Sequence, residues 1–124
     1  TLRALEAALA GALTEARTPL ERVRAIARSW CAELEARPIE ARVALTRRVA
    51  SELLSPAGKL LHQVLDRCVQ AARQDGMAWF GAADEVSLLA AAAATEAVSR
   101  RHLAGHPIRD AQRTLAELIA KLLR

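Results

Sequence analysis

Apolar residues recur along the chain at spacings of three and four, which is the period of an amphipathic α-helix. In residues 59–74, for example, Leu61, Leu65, Cys68 and Ala72 fall on one stripe. The predicted helices span residues 2–16, 19–37, 39–53, 59–74, 83–103 and 110–123. The pattern therefore predicts an all-α domain of six helices with an orthogonal or bundle-like arrangement.

Proline and glycine separate the predicted helices. Thr18, Pro19 and Glu21 form a capping-box signal for the start of the second helix. Pro38 disfavours helical geometry at the residue before it and opens the third helix. Residues 55–58, with the sequence Ser-Pro-Ala-Gly, are predicted as a turn that precedes the fourth helix.

Length and composition agree with this interpretation. The 124 residues give room for a single domain, residues 1–124. Hydrophobic residues make up 52% of the chain and aromatic residues only 2%. Most of the hydrophobic residues are alanine and leucine, which favour helices over strands. The net charge is +4, but the cationic residues are scattered over several helices, so charge alone does not argue for nucleic-acid binding.

The two cysteines, Cys31 and Cys68, stand among apolar residues at helical positions, as small buried thiols do. They do not form a disulfide framework, so we expect a cytoplasmic protein. No signal peptide is visible, and the longest uncharged apolar run, residues 86–94, is too short to span a membrane. Because the chain begins with Thr1 rather than Met, we expect a further segment upstream.

The helix predicted at residues 83–103 is apolar on every side at its centre. Such a helix must be covered all round, and in so small a domain only one of its faces can pack inward. We therefore predict a homodimer in which residues 83–124 form an intermolecular four-helix bundle. The predicted dimerisation residues are Leu88, Ala92, Glu96, Ser99, Leu115, Leu118, Ile119 and Leu122. The alternative is an ordinary core helix in a monomer.

Three stretches of the sequence resemble TetR-type transcriptional regulators. Thr18–Ala27 (TPLERVRAIA) resembles the start of the fifth helix of that family, and Glu35–Arg42 (EARPIEAR) resembles its exit. Leu65–Met77 (LDRCVQAARQDGM) is similar to the seventh helix and the glycine that ends it. The resemblance covers nearly the whole chain, with residues 1–16 matching the end of the fourth helix, but the N-terminal helix-turn-helix of the family is absent.

This resemblance implies the regulatory domain of a TetR-like transcriptional regulator, which senses a small effector in an internal pocket and forms a homodimer. It implies no enzymatic activity and no cofactor, and DNA binding only through an N-terminal domain that is not present in this chain. One alternative is a stand-alone helical protein–protein interaction domain. Another is a small all-α enzyme that clamps an anionic substrate, but Arg24 and Arg28 fall on outward faces.

Aromatic side chains are the first candidates for a pocket wall, because such walls are usual in small-molecule sites. Trp30 lies on the inward face of its predicted helix and is either a pocket wall or plain core. Trp79 and Phe80 lie on a short connector and would form a lid or plug the end of the bundle. The predicted ligand-binding residues are Trp30, Thr46, Arg47, Leu61, His62, Leu65, Trp79 and Leu89.

Charged and titratable residues within the helices supply the remaining candidates. Glu96 lies in an apolar stretch with Arg100 one turn later, so the two are predicted to pair, either at the dimer edge or near a cationic ligand. His62 and Asp66 are also one turn apart and would orient a ligand or form a surface pair. His102 and His106 have the i, i+4 spacing that metal sites use, but Gly105 and Pro107 interrupt the helix there and no third ligand is nearby, so we predict no metal site.

Overall fold

The structure is a computed structural model that describes residues 2–15, 17–49 and 51–124, apart from the side chains of residues 15, 78 and 79. The described residues form helices and no strand, so the predicted all-α class is confirmed. The helices are α1 (Leu2–Glu15), α2 (Pro19–Ala36), α3 (Pro38–Ala44), α4 (Pro56–Gln74), the single turn α5 (Ala78–Gly81), α6 (Glu85–Leu103) and α7 (Ala111–Leu123).

The start of α2 follows the predicted capping signal. The hydroxyl of Thr18 accepts a hydrogen bond from the backbone N–H of Glu21 at 3.2 Å, and Pro19 is the first helical residue. The carboxylate of Glu21 reaches back to the backbone N–H of Arg17 at 3.2 Å. These contacts satisfy N–H groups that have no partner within the helix, and they fix the point where α2 begins.

The start of α4 differs from the prediction. Ser55 caps this helix by accepting a hydrogen bond from the backbone N–H of Gly58 at 3.1 Å, and Pro56 is its first residue. The turn predicted at residues 55–58 is therefore wrong, because the helix begins three residues earlier than residue 59. The serine–proline pair acts here as the threonine–proline pair does at the start of α2.

The third helix is shorter than predicted. It ends at Ala44, so the single helix predicted over residues 39–53 is wrong. The side chain of Leu45 is 1% exposed, and its backbone carbonyl accepts a hydrogen bond from the guanidinium of Arg100 at 3.3 Å. A longer helix would need that carbonyl for the N–H four residues later. The burial of Leu45 and the contact from Arg100 thus lie at the point where α3 ends.

The core lies where α1 packs on α2, α2 on α7, α4 on α6, and α6 on α7. Trp30 and Phe80 are its largest fully buried side chains, accompanied by leucines from α1, α4 and α7. Phe80 therefore lies in the core. The side chain of Trp79, predicted as a lid or a plug, lies outside the described part of the structure. Among the described helices, none has both the length and the apolar character needed to cross a bilayer.

Helix α6 packs against α4 and α7, and Asp84 caps its N-terminal end. The carboxylate of Asp84 accepts a hydrogen bond from the backbone N–H of Ser87 at 2.8 Å, and hydrogen bonding from Ser87 lowers the pKa of Asp84. Arg100, Arg101 and His102 stand in the last turn of α6, where positive charge complements the helix dipole. A side-chain cap thus begins α6 and basic residues end it, while its buried face carries mostly small side chains together with Leu88 and Glu96.

Candidate functional site

A small cavity of about 30 Å³ lies where α1, α2, α3 and α4 meet. Its lining is mostly apolar, and on its solvent side Glu33 and Arg37 form an ion pair at 2.6 Å. The lining residues are Leu5, Trp30, Glu33, Leu34, Arg37, Glu40, Ala41, Ala44, Leu45 and Ala57. This volume holds a water molecule or two, whereas pockets for drug-sized ligands measure about 300–1,000 Å³.

The indole of Trp30 forms one wall of the cavity and is hydrogen-bonded to α6. Its N–H donates to the hydroxyl of Ser99 at 2.8 Å, and that hydroxyl donates to the carbonyl of Thr95 at 2.7 Å. Trp30, Thr95 and Ser99 are each no more than 1% exposed. The ring of Trp30 is therefore held in place by a satisfied, buried polar contact rather than by packing alone.

We expect Ser99→Ala to lower the free energy of unfolding by about 1–3 kcal/mol, because it leaves the buried indole N–H of Trp30 without an acceptor. In a Trp30→Phe background the same substitution should cost clearly less, since no donor remains there. Urea unfolding of the four proteins measures both costs. An equal cost of Ser99→Ala in the two backgrounds would show that this hydrogen bond contributes nothing.

Glu96 is a buried carboxylate that faces the start of α4, with 1% of its surface exposed. Its Oε1 atom accepts hydrogen bonds from the backbone N–H of Ser55 at 2.7 Å and from the hydroxyl of Ser55. Its Oε2 atom accepts one from Arg100 at 3.3 Å, which confirms the predicted pair. The pair lies inside one chain, because the backbone of Gly58 and the cap residue Ser55 cover the carboxylate.

Two arginine contacts connect the end of α3 to the end of α6. Arg100 donates to the carbonyl of Leu45, which lines the cavity, as well as to Glu96. Arg42 donates to the carbonyl of Leu103, the last residue of α6. Helix α6 is therefore hydrogen-bonded to two lining residues, Trp30 in α2 and Leu45 after α3, and to the N-cap of α4.

The structure places one of the predicted ligand-binding residues, Trp30, in the cavity lining. Thr46 and Arg47 are exposed on the loop after α3, and neither lines the cavity. The hydroxyl of Thr46 donates to the carbonyl of Arg42 at 2.8 Å, and Arg47 donates to the carbonyl of Glu52 at 3.4 Å. These two side chains therefore hold the loop in its conformation.

The other predicted ligand-binding residues with described side chains also lie outside the lining. Leu61 and Leu65 are fully buried in the core, and Leu89 is half-buried on α6. His62 contacts Glu85 across the α4–α6 boundary, with 3.0 Å between Nε2 and Oε1. His62 thus bonds to a carboxylate on another helix instead of forming the predicted pair within α4.

Several lining residues were absent from the prediction, notably Ala41, Ala44, Leu45 and Ala57. A signal for them exists in the sequence, because small side chains opposite a large aromatic one leave space that neither fills. That signal depends on which helix faces Trp30, and the sequence pattern does not determine this.

The predicted dimerisation residues need a correction. Leu88, Ala92, Glu96, Ser99, Leu115 and Ile119 are all buried within a single chain. Other helices of the same chain already cover these side chains: α4 and α7 pack on α6, and α2 and α6 pack on α7. A second copy therefore cannot cover them. The two remaining residues, Leu118 and Leu122, are half-buried and border the outer surface. Most of the predicted dimerisation residues therefore lie on the inward faces of α6 and α7.

The possible metal ligands and the two thiols are spread over the described part of the chain. They contain no group of three or more His, Cys, Asp or Glu side chains that could hold a metal ion. The Nδ1 atom of His102 accepts a hydrogen bond from the backbone N–H of Ile108 at 3.0 Å. Burial raises the pKa of Cys31 and of Cys68 to about 11, so both thiols are protonated and weakly nucleophilic at neutral pH.

Comparisons with protein-family models, with curated proteins and with solved structures find no match to this chain. The TetR-type resemblance therefore stays a hypothesis, and the function has to be argued from the contacts described above.

Proposed function

We infer that the chain is the effector-sensing and dimerisation domain of a TetR-like transcriptional regulator, with no catalytic chemistry of its own. The observation that carries this proposal is the hydrogen bonding of the cavity wall to α6. Trp30 bonds to Ser99, and Leu45 bonds to Arg100. A ligand that displaces these lining residues would act directly on α6, the helix that we propose to contact a second copy of the chain.

The outward side of α6 supports a homodimer in a register different from the predicted one. Val86, Ala90, Ala93 and Ala97 follow one stripe of α6 and are exposed or half-buried. Side chains this small allow close approach of a second helix, and a second copy of the chain would cover them. Leu118 and Leu122 of α7, the helix that packs against α6, are also half-buried.

The cavity would have to enlarge before it could hold an effector, and α3 is the element that can move. No residue of α3 is buried, and its C-terminal end is held by the contacts from Arg42 and Arg100. An outward shift of α3 would open the space beside Trp30 and Leu34. Such a shift requires a ligand with higher affinity for the open form. We propose a compound with an apolar body whose charge pairs with Glu33 or Arg37.

Light scattering tests the dimer, and the expected mass is that of two chains. Ala93→Glu places a charge on the proposed dimer surface and should yield monomers, because an unpaired buried charge is costly. The matched control is Ala10→Glu, at an exposed alanine of α1, which should leave the mass unchanged. A parent protein that stays monomeric at high concentration would contradict the proposed dimer.

Thermal unfolding in the presence of hydrophobic and cationic compounds tests the cavity, because a ligand that binds only the folded protein raises its melting temperature. Ala41→Leu fills the cavity and should abolish the shift given by an active compound. Ala32→Leu, at an exposed position of α2, should leave it intact. An equal shift in both variants would show that the compound binds elsewhere.

A stand-alone helical interaction domain is the second candidate. Ile39 and Val43 lie one turn apart on α3 and are 78% and 71% exposed, and Val49 and Leu53 on the following loop are 53% and 57% exposed. Large apolar side chains exposed to this degree favour contact with another protein. A folded monomer in the light-scattering experiment would favour this candidate over the first.

A further inference from the structure

An open groove of about 1140 Å³ runs between α2 and α7, and it shares no lining residue with the cavity. Leu20 and Ala116 contribute apolar surface to it, and Arg24, Arg28 and Lys121 contribute positive charge. The proposed function uses none of these side chains. The groove is too open to enclose a small molecule, since small-molecule sites bury most of the ligand surface.

The cationic side chains of the groove differ in their pairing. Arg113 forms an ion pair with Glu117 at 3.1 Å. In contrast, Arg24, Arg28 and Lys121 make no hydrogen bond or ion pair with the residues that the structure describes. Arg24 and Arg28 also stand one helical turn apart, where like charges repel each other. The groove therefore presents three cations that have no direct ion-pair partner among the described residues.

The charge is arranged with a direction along the groove. Cys31 near the end of α2 and Ala111 at the start of α7 line one shared depression, so the two helices run antiparallel. Glu35 and Asp110 consequently lie at one end of the groove. Arg24 and Lys121 lie toward the other end, so the groove is acidic at one end and basic at the opposite one.

We propose that this groove binds an acidic amphipathic helix of a partner protein. The apolar lining fits the nonpolar face of such a helix, and Arg24, Arg28 and Lys121 pair with its carboxylates. Helix α7 has 13 residues. The docked segment is therefore three to four turns long, or about 20 Å at 1.5 Å per residue. Its negative C-terminal end lies at the Arg24–Lys121 end of the groove, because the dipole of the helix favours that direction.

The lining argues against two other occupants. A nucleic acid would bring phosphates close to Glu35, Asp110 and Glu117, and the lining residues that the structure describes include no Phe, Trp or Tyr on which a base could stack. Two copies paired groove to groove would meet through two concave surfaces, which do not fill each other. A helix is convex, and one that carries both apolar and acidic side chains matches the shape and the charge of the groove.

Fluorescence anisotropy with two labelled 14-residue peptides tests this proposal. Both peptides carry leucines at helical spacing, but four glutamates stand in the C-terminal half of the first and in the N-terminal half of the second. We expect the first peptide to bind about tenfold more tightly, a difference of about 1.4 kcal/mol. The reason is that its carboxylates and the negative end of its helix dipole both face Arg24 and Lys121. Added salt should weaken its binding, because exposed charges are screened.

The double variant R24E/K121E should lose at least tenfold in affinity for the first peptide. The control R48E/R67E changes the net charge equally at exposed positions outside the groove and should bind the peptide as the parent does. Circular dichroism confirms that both variants are folded. Absence of saturable binding, equal affinity for the two peptides, or equal loss in both variants would overturn the proposal. Binding of a single-stranded oligonucleotide in place of the peptides would also overturn it.

Discussion

Glu96→Ala should lower the free energy of unfolding by about 3 kcal/mol, as expected when buried donors lose their acceptor. The substitution leaves the N–H and the hydroxyl of Ser55 without the carboxylate oxygen that they share. The side chain of Arg100 adds little to this cost, because it is 40% exposed and regains water. Urea unfolding followed by circular dichroism at neutral pH measures the loss.

Two further variants separate the buried contacts of Glu96 from a general effect of removing a carboxylate. Glu96→Gln keeps an acceptor for Ser55 but turns an NH2 group toward Arg100 in place of the oxygen that accepts from it. Because the side chain of Arg100 is 40% exposed and can turn to water, this variant should cost less than half as much as alanine. Glu117→Ala removes a carboxylate that is 68% exposed, although it also pairs with an arginine one turn away. We expect this control to change stability by less than about 0.5 kcal/mol. Equal losses for Glu96→Ala and Glu117→Ala would contradict the assigned role of Glu96.

The helices themselves were predictable from local signals, and the errors arose where distant contacts compete with those signals. Thr18 and Pro19 begin a helix as the sequence indicates. Ser55 and Pro56 do the same, but the glycine two residues later resembles a turn. Glycine is needed there because the carboxylate of Glu96 packs against its backbone. Glu96 also accepts a hydrogen bond from Ser55, which is 41 residues away in the sequence. No local pattern contains this contact.

The candidate site was predictable only in part, for the same reason. The inward orientation of Trp30 follows from helical periodicity, and the Glu96–Arg100 pair follows from the spacing of one turn. The acceptor for the indole of Trp30 is Ser99, 69 residues away, and sequence spacing does not reveal it. The central apolar stretch of α6 also hid which of its faces packs inward, since alanines occur on both faces. The burial of Ser99 and Glu96 resolves this, because each has its hydrogen-bond partner inside the chain.

Gly58→Ala should destabilise the protein by about 3 kcal/mol, at the upper end of the range for overpacked interiors. An added Cβ at this position would lie 1.9 Å from Oε1 and 2.5 Å from Cδ of Glu96. The carboxylate cannot retreat without breaking its hydrogen bonds with Ser55. The matched control is Gly11→Ala in α1, where nothing lies within 4 Å of the added Cβ. There the same change should stabilise the protein by about 0.5–1 kcal/mol, because alanine is the better helix former.

The double variant Gly58→Ala/Glu96→Ala identifies the cause of the Gly58 effect. If the new methyl group strikes the carboxylate, removing that carboxylate makes room for it, and the double variant should be at least about 1 kcal/mol more stable than the two single losses predict when added. Chemical unfolding of the parent, both single variants and the double variant yields this coupling energy. Additive losses would mean that the methyl group is excluded by something other than Glu96. We therefore expect the need for glycine at this position to follow from the buried carboxylate on α6.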